Sequence, residues 1–327
     1  MPDRDNGSDA TLPRLPGQFR GLSTGDLVAD RYRLVRVLGR GGMGEVWEAH
    51  HAALDRRVAL KLVHVDAAPM RARLLHEARL LASLRHPAIV AVHDAGVTAD
   101  GIAYLAMDIL VGESLATRLE RARLEVPIAV ALFIELLDGL AAAHAAGIVH
   151  RDIKPDNIVL VDRAGQLAPT LIDFGIAVPL VGDGVAPDRA GTPQYMAPEQ
   201  LRGLACDART DVWATCVSLY EAVTGRAPFM GPDLATTASN VLDAPLAYPT
   251  DVEALDGKLW AILTRGLRKD PADRTASAAE LRQALAAWLA RRTNPPAPPA
   301  PPAVPEPRND PAPDVFQALI KRKLTEV

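Results

Sequence analysis

Residues 150–160 read HRDIKPDNIVL. Asp152 and Asn157 stand five apart across a loop broken by Pro155, and a short apolar strand, NIVLV, follows. Fourteen residues on from Asn157 begins LIDFG, with Asp173 at a strand end and Gly175 just beyond. Three common residues in a row carry little weight alone. Upstream, Leu38–His50 reads LGRGGMGEVWEAH, a G-x-G-x-x-G arrangement at Gly39, Gly41 and Gly44, with an extra Gly42 and then Val46. Glycine weakens a strand, so it needs a reason there. One reason is a backbone passing close to a phosphate, and another is only a hairpin turn.

Lys61, in VALK, decides between them. Its neighbours are apolar, and an unpaired ammonium among them would cost several kcal/mol. A phosphate and a carboxylate are the partners that justify it. Glu77, in LLHEARLL, lies on the next predicted helix, where Leu74, Ala78 and Leu81 turn the same face toward the sheet. Alone, Glu77 reads as a solvated helix residue. With Lys61 and the glycines it becomes the expected partner, and a Lys61–Glu77 pair would hold the amine over a nucleotide's phosphates. The ordered series of glycine loop, lysine, helix glutamate, HRD–x4–N and DFG is the specific signal.

The surrounding chain divides into two blocks. From Tyr32, YRLVRVL, VWEAHHA, RRVALKLVHV, IVAVHDAGV and IAYLAMDIL alternate as strands, with one helix at about 68–84. After Gly112, SLATRLERA, residues 129–145, RTDVWATCVSLYEAVTG, DGKLWAILTRGLRKD and SAAELRQALAAWLARR read as helices, interrupted by NIVLV and PTLIDF. A small β-rich block followed by a larger helical one predicts two lobes with a cleft between them. Residues 1–30 read as a flexible arm, 31–110 as the first lobe and 111–291 as the second. Ten prolines mark residues 292–313 as an extended spacer. Residues 314–327 place Phe316, Ile320, Leu324 and Val327 near one face of a short amphipathic helix.

The 327 residues carry a formal charge of −4 and are 49% hydrophobic, enough for a real core. The acidic balance gives no support for nucleic-acid binding. Cys206 and Cys216 lack metal-ligand spacing and read as reduced thiols. The most apolar stretch, Val126–Val149, contains Glu135 and Asp138, which favours a buried helix over a transmembrane span. A cytoplasmic protein is the expectation.

The motif series resembles that of eukaryotic-type (Hanks-type) serine/threonine protein kinases, most closely the bacterial members. The resemblance spans about residues 32–289 and includes the APE element Ala197–Pro198–Glu199. It implies the two-lobed α+β protein kinase fold and a set of roles. Gly39, Gly41 and Gly44 would cover ATP phosphates, and Lys61, held by Glu77, would contact them. Asp173 and Asn157 would bind Mg²⁺ or Mn²⁺. Asp152 would orient the substrate hydroxyl and accept its proton, and Lys154 would stabilise the transferring phosphoryl group. Asp211 matches the aspartate that braces the catalytic loop, and Arg274 the arginine that pairs with Glu199. His150 would brace the loop, and Arg151 would receive an activation-loop phosphate.

By the same resemblance, Leu38, Val46 and Ala59 line the adenine site from above and Val159 from below. Met107 is the gatekeeper, Asp108 to Leu110 form the hinge, and Glu113 or Ser114 reaches the ribose. Protein substrates are implied, because GTPQYMAPEQ resembles the segment that supports them, with Thr192 facing Asp152. A pseudokinase, a small-molecule phosphotransferase and an interaction protein acting through its tail are the rival readings. The first would be marked by loss of the lysine, an aspartate or the asparagine. One departure stands out: residues 176–191 contain no Ser, Thr or Tyr. Arg151 therefore lacks an obvious phosphate partner, leaving Asp183 or Asp188 as substitutes, and activity without loop phosphorylation is expected. With no membrane helix or outside sensor, the chain is expected to receive its signal from a regulatory protein partner, the C-terminal tail either carrying that contact or folding back on the rest of the chain, and a homodimer is a further candidate state.

Overall fold

Alternating apolar side chains build the first lobe as an antiparallel sheet. The computed structural model of the chain describes residues 22–41, 44–64, 68–174, 193–252 and 255–293. Its first elements are β1 (Leu27–Val28), β2 (Tyr32–Gly41), β3 (Gly44–His51), β4 (Arg56–His64), α1 (Ala68–Ser83), β5 (Val92–Val97) and β6 (Ile102–Met107). The strands are ordered β1-β2-β3-β4-β6-β5. One face carries Tyr32, Leu34, Trp47, Ala49, Val58, Leu60 and Leu62 into a core with Tyr104 and Ala106. Side chains alternate across a strand, so Lys61, between Leu60 and Leu62, is delivered to the opposite face with Ala59. In α1, Leu74, Ala78 and Leu81 are buried at helical spacing against the sheet.

The chain joins this sheet earlier than expected. β1 pairs with β2 through Leu27–Arg33 and Val28–Tyr32, and Val28 is buried. Gly25 N–H donates to the Leu34 carbonyl and Leu34 N–H to that of Asp26. Residues 22–30 are thus part of the fold rather than of an arm. A two-residue strand is too short for alternation to reveal it. Residues 1–21, most of the expected proline spacer and the C-terminal segment lie outside the described residues.

The second lobe contains β7 (Gly112–Ser114), α2 (Leu115–Arg121), α3 (Val126–Ala145), β8 (Ile158–Arg163), β9 (Gln166–Leu171), α4 (Pro198–Leu201), α5 (Ala208–Thr224), α6 (Leu234–Asp243), α7 (Gly257–Gly266) and α8 (Ala278–Thr293). β7, β8 and β9 form a small antiparallel sheet. Helix α6 had no counterpart among the predicted helices, because LATTASNVLD is short and rich in Thr, Ser and Asn, and only Thr237 and Val241 are buried. Among the described residues α3 alone is long and apolar enough to cross a membrane, but 56% of that stretch is buried inside the protein. Its Glu135 and Asp138 lie on the outer face, paired with Arg163 and Arg282.

Helix α5 is the axis of this lobe. Val212, Trp213, Cys216, Val217 and Leu219 are buried around its circumference, so it has no solvent face to read as amphipathic. α7 approaches it closely at Gly266, where a Cβ would lie 2.2 Å from the Cys216 sulfur. Below α5, Arg274 and Glu199 form a fully buried bidentate pair, with contacts of 2.8 and 3.0 Å. Thr210 Oγ1 donates to the same carboxylate at 2.8 Å, and Arg274 also donates to the Arg209 carbonyl. This pair ties the short α4 to the segment before α8. Removing one member strands the other charge without water. Arg274→Met should therefore lower unfolding free energy by about 3–5 kcal/mol, read from urea denaturation. A loss below about 1 kcal/mol, the scale of a surface pair, would contradict the burial argument.

Candidate active site

The loop after α3 is shaped by one carboxylate on α5. Asp211, in the helix's first turn and fully buried, accepts hydrogen bonds from His150 N–H at 2.7 Å, Arg151 N–H at 2.7 Å and His144 Nε2 at 2.8 Å. An anion suits that helix end electrostatically. Held this way, Arg151 adopts φ 67°, a left-handed conformation uncommon for a side-chain-bearing residue. The His150 ring is completely buried, and burial holds its pKa below the usual histidine range. Its Nε2 meets the Ile172 carbonyl at 3.0 Å, and Asp152 N–H donates to its Nδ1 at 3.2 Å. A carbonyl can only accept, so the proton sits on Nε2 and the ring is neutral. Phe174 lies against it, with ring centroids 4.5 Å apart. The loop before β8 and the segment after β9 are thereby fixed to each other.

On this frame the predicted groups converge. Lys154 Nζ contacts both Asp152 oxygens, at 3.0 and 2.9 Å. Asn157, in the 3-10 turn Pro155–Asn157, donates from Nδ2 to the Asp152 carbonyl at 2.7 Å and to its carboxylate at 3.0 Å. Across the cleft, Lys61 Nζ lies 3.0 Å from Asp173 Oδ1. Asp173 itself has φ 55°.

The expected Lys61–Glu77 pair is not the one formed among the described residues. Lys61 pairs with Asp173, and Glu77 Oε1 accepts from Arg151 Nη1 at 3.4 Å. The four charges are those anticipated, but their partners are exchanged. All four side chains are only partly buried, so solvent screening keeps each pair modest.

The residues expected to line an adenine site cluster between the lobes. Val46, Ala59, Met107 and Leu110 share one apolar group with Val90, Leu105, Ile109 and Ile172. Val46 lies opposite Lys61 in register, and Ala59 opposite Met107. Leu38 on β2 is 40% exposed, and Val159 on β8 is half-buried opposite Ser114. Asp108 spends its N–H on the Ala91 carbonyl at 3.0 Å, and its carboxylate holds Arg56 at 2.7 Å and His93 at 2.8 Å. Of the glycines, Gly44 is demanded by packing, because a Cβ there would lie 1.9 Å from the Leu62 backbone oxygen. At Gly39 a Cβ would meet nothing within 4 Å, so strand packing does not explain that glycine. Gly41 closes β2 opposite Gly44, while Gly42 and residues 175–192, with Thr192, Asp183 and Asp188, lie outside the described residues.

Glu113 holds Arg121 through two contacts of 2.6 Å, and Ser114 caps α2 by accepting from Thr117 N–H. His144 and Gln200 are functional neighbours that sequence reasoning did not single out. His144 completes the Asp211 cluster, and Gln200 reaches the Arg151 carbonyl at 2.9 Å. The APEQ run was visible, but no spacing rule connects Gln200 to a residue 49 positions away.

Comparison with known proteins agrees with this geometry. The family model described as "Protein kinase domain" matches residues 32–286. A Streptomyces coelicolor protein described as "Probable serine/threonine-protein kinase SCO3848" is 40% identical over 79% of this chain and 40% of its own length. The serine/threonine-protein kinase pkn2 of Myxococcus xanthus is 36% identical over 89% of this chain and 37% of its own. PknH of Mycobacterium tuberculosis is 37% identical over 79% and 42%. The chain thus spans about two fifths of the length of these relatives.

The neutral, buried His150 gives the site a pH dependence. An unfolded histidine titrates near 6.5, and the folded one lower. Below that pH the unfolded chain binds more protons than the folded one, so stability falls as pH drops through this range. Urea midpoints measured from pH 7.5 to 5 should decline more steeply for the wild type than for His150→Phe. Equal slopes would show that His150 is not held neutral.

Proposed function

Because the chain belongs to the protein kinase domain family, in its bacterial Hanks-type serine/threonine branch, we propose that it transfers the γ-phosphoryl group of ATP to serine and threonine hydroxyls of protein substrates. The observation carrying this reading is the convergence of Asp152, Lys154 and Asn157 on one turn, facing Lys61 and Asp173 across the cleft. Loss of one of these residues would favour a pseudokinase, and none is lost.

The residue chemistry follows. Asp152 is positioned to orient a substrate hydroxyl and accept its proton. Lys154, already on that carboxylate, supplies positive charge where the transferring group would pass. A divalent cation, Mg²⁺ or Mn²⁺, supplies charge neutralisation at the phosphates when bound. The ligand set fits it: Asn157 commits its amide nitrogen to Asp152, which leaves the amide oxygen as donor, and Asp173 offers a carboxylate. Two protein oxygens, with phosphate and water completing the shell, suit a hard cation. Lys61 holds phosphate oxygens, with Gly39, Gly41 and Gly44 permitting close backbone approach. Val46, Ala59, Met107, Leu110, Leu38 and Val159 enclose the base, and the Asp108 carbonyl remains for it to bond.

Glu77 meets Arg151 as observed, and the family pattern pairs it with Lys61. Transfer of Glu77 to Lys61 would free Asp173 for the metal. In the observed pairing Arg151 finds an anion in Glu77 rather than in a loop phosphate. The two cysteines are free thiols, which fits an ATP-using enzyme of the reducing cytoplasm.

The test is transfer from ATP to a generic protein substrate by the purified chain. Asp152→Asn should keep nucleotide binding and lose about 10²–10⁴-fold in kcat, the span for a general base. Lys61→Met should lower kcat/KM for ATP by roughly a hundredfold, as for loss of one preorganised charge contact. Phosphatase treatment should leave most of the initial rate. Unchanged transfer in both variants would overturn the assignment, and a rate that returns only with phosphate on Thr192 would restore loop control.

A further inference from the structure

Gln200 bridges two parts of the site that are otherwise separate in the chain. Its Oε1 accepts from Ala197 N–H at 2.9 Å, closing the first turn of α4, while its Nε2 donates to the Arg151 carbonyl at 2.9 Å. That carbonyl belongs to the peptide unit joining Arg151 to Asp152. The N–H of the same unit, Asp152's own, donates to His150 Nδ1 at 3.2 Å. The plane that carries Asp152 is therefore held at both edges, by His150 on the nitrogen side and by Gln200 on the oxygen side.

The hold matters because the preceding backbone is strained. Arg151 sits at φ 67°, its N–H taken by Asp211. Left-handed conformations at side-chain-bearing residues persist when their surroundings over-determine them. Asp211 fixes the plane before Arg151, and Gln200 fixes the plane after it. Lys154 and Asn157 hold the Asp152 carboxylate, but both belong to the same loop and would move with it. Gln200 comes from elsewhere, on a segment anchored by Tyr195 Oη donating to Glu221 at 2.7 Å and by the buried Glu199–Arg274 pair. Among the described residues, Gln200 makes the one hydrogen bond joining residues 193–201 to the loop 150–157.

We propose that Gln200 is a positioning residue for phosphoryl transfer: it sets the Arg151–Asp152 peptide plane, and with it the Asp152 carboxylate, from the segment 193–201. This rests on the kinase reading of the same site. Gln200 touches no reacting atom, and its effect passes through Asp152. Small misplacements of a reacting group are costly, on the order of a hundredfold for about 1 Å.

Gln200→Glu separates the two halves of the side chain. It keeps an oxygen for Ala197 N–H but sets an acceptor against the Arg151 carbonyl. In the full-length chain, kcat for a protein substrate should fall about tenfold, equivalent to roughly 1.4 kcal/mol. KM for ATP should change less than about twofold. Hydrogen exchange in a peptide spanning 149–157 should quicken, while the melting temperature stays within about 4 °C of wild type. Gln200→Met, which lacks both polar contacts, should lose kcat similarly and melt lower. A Gln200→Glu enzyme with wild-type kcat and unchanged exchange in 149–157 would overturn the proposal. So would a loss confined to melting temperature. A wild-type chain that transfers no phosphate would instead count against the kinase reading, and the exchange measurement would still decide what Gln200 holds.

Discussion

The geometry of the cleft depends on burying one carboxylate, that of Asp211. Burying an ion costs several kcal/mol unless hydrogen bonds replace its water, and Asp211 takes N–H donors from His144, His150 and Arg151. The requirement runs both ways. The carboxylate needs those donors, and the two backbone N–H groups of a loop leaving α3 need an acceptor in a place without solvent. Meeting both demands bends the chain through Arg151 and presents Asp152. The His150 ring then carries the constraint onward to the Ile172 carbonyl and Phe174. A single side chain on a buried helix thus orders residues from two distant motifs.

The charges in the cleft are less firmly committed. Lys61 and Arg151 are the cations, Glu77 and Asp173 the anions, and each belongs to a different element. The observed pairing, Lys61 with Asp173 and Arg151 with Glu77, links α1 to the loop before β8 and β4 to the segment after β9. Both links join the first lobe to the second. The alternative pairing of Lys61 with Glu77 joins α1 to β4 within the first lobe and leaves Arg151 and Asp173 for other partners. The observed pairing therefore ties α1 to the catalytic loop and β4 to the segment after β9.

Much of this was legible in the sequence. Alternation identified the large strands because their two faces differ, and the helices α3 and α5 could be read from their apolar content. Motif order alone pointed to Lys61, Asp152, Asn157 and Asp173 as one group. β1 escaped because two residues cannot show a period, and α6 because its polar side chains fit a loop equally well. The partner of Glu77 escaped for a different reason. Sequence shows which charges are present, but a choice among nearby opposite charges depends on where α1 sits, to within a few ångströms. Gln200 was hidden in the same way: its role is a contact with a backbone carbonyl, and a carbonyl has no residue-type signature.

The most direct measurement replaces the Asp211 carboxylate with its amide. In Asp211→Asn an NH₂ group must face backbone N–H donors, so the loop loses part of its hold while the side-chain shape is kept. The full-length variant is examined by nucleotide binding, phosphate transfer and hydrogen exchange of residues 149–157. If Asp211 organises the site, the folded variant binds nucleotide within a few-fold of wild type, exchanges the loop faster and loses roughly a hundredfold or more in transfer. A folded Asp211→Asn protein with wild-type loop protection and full transfer would contradict the account.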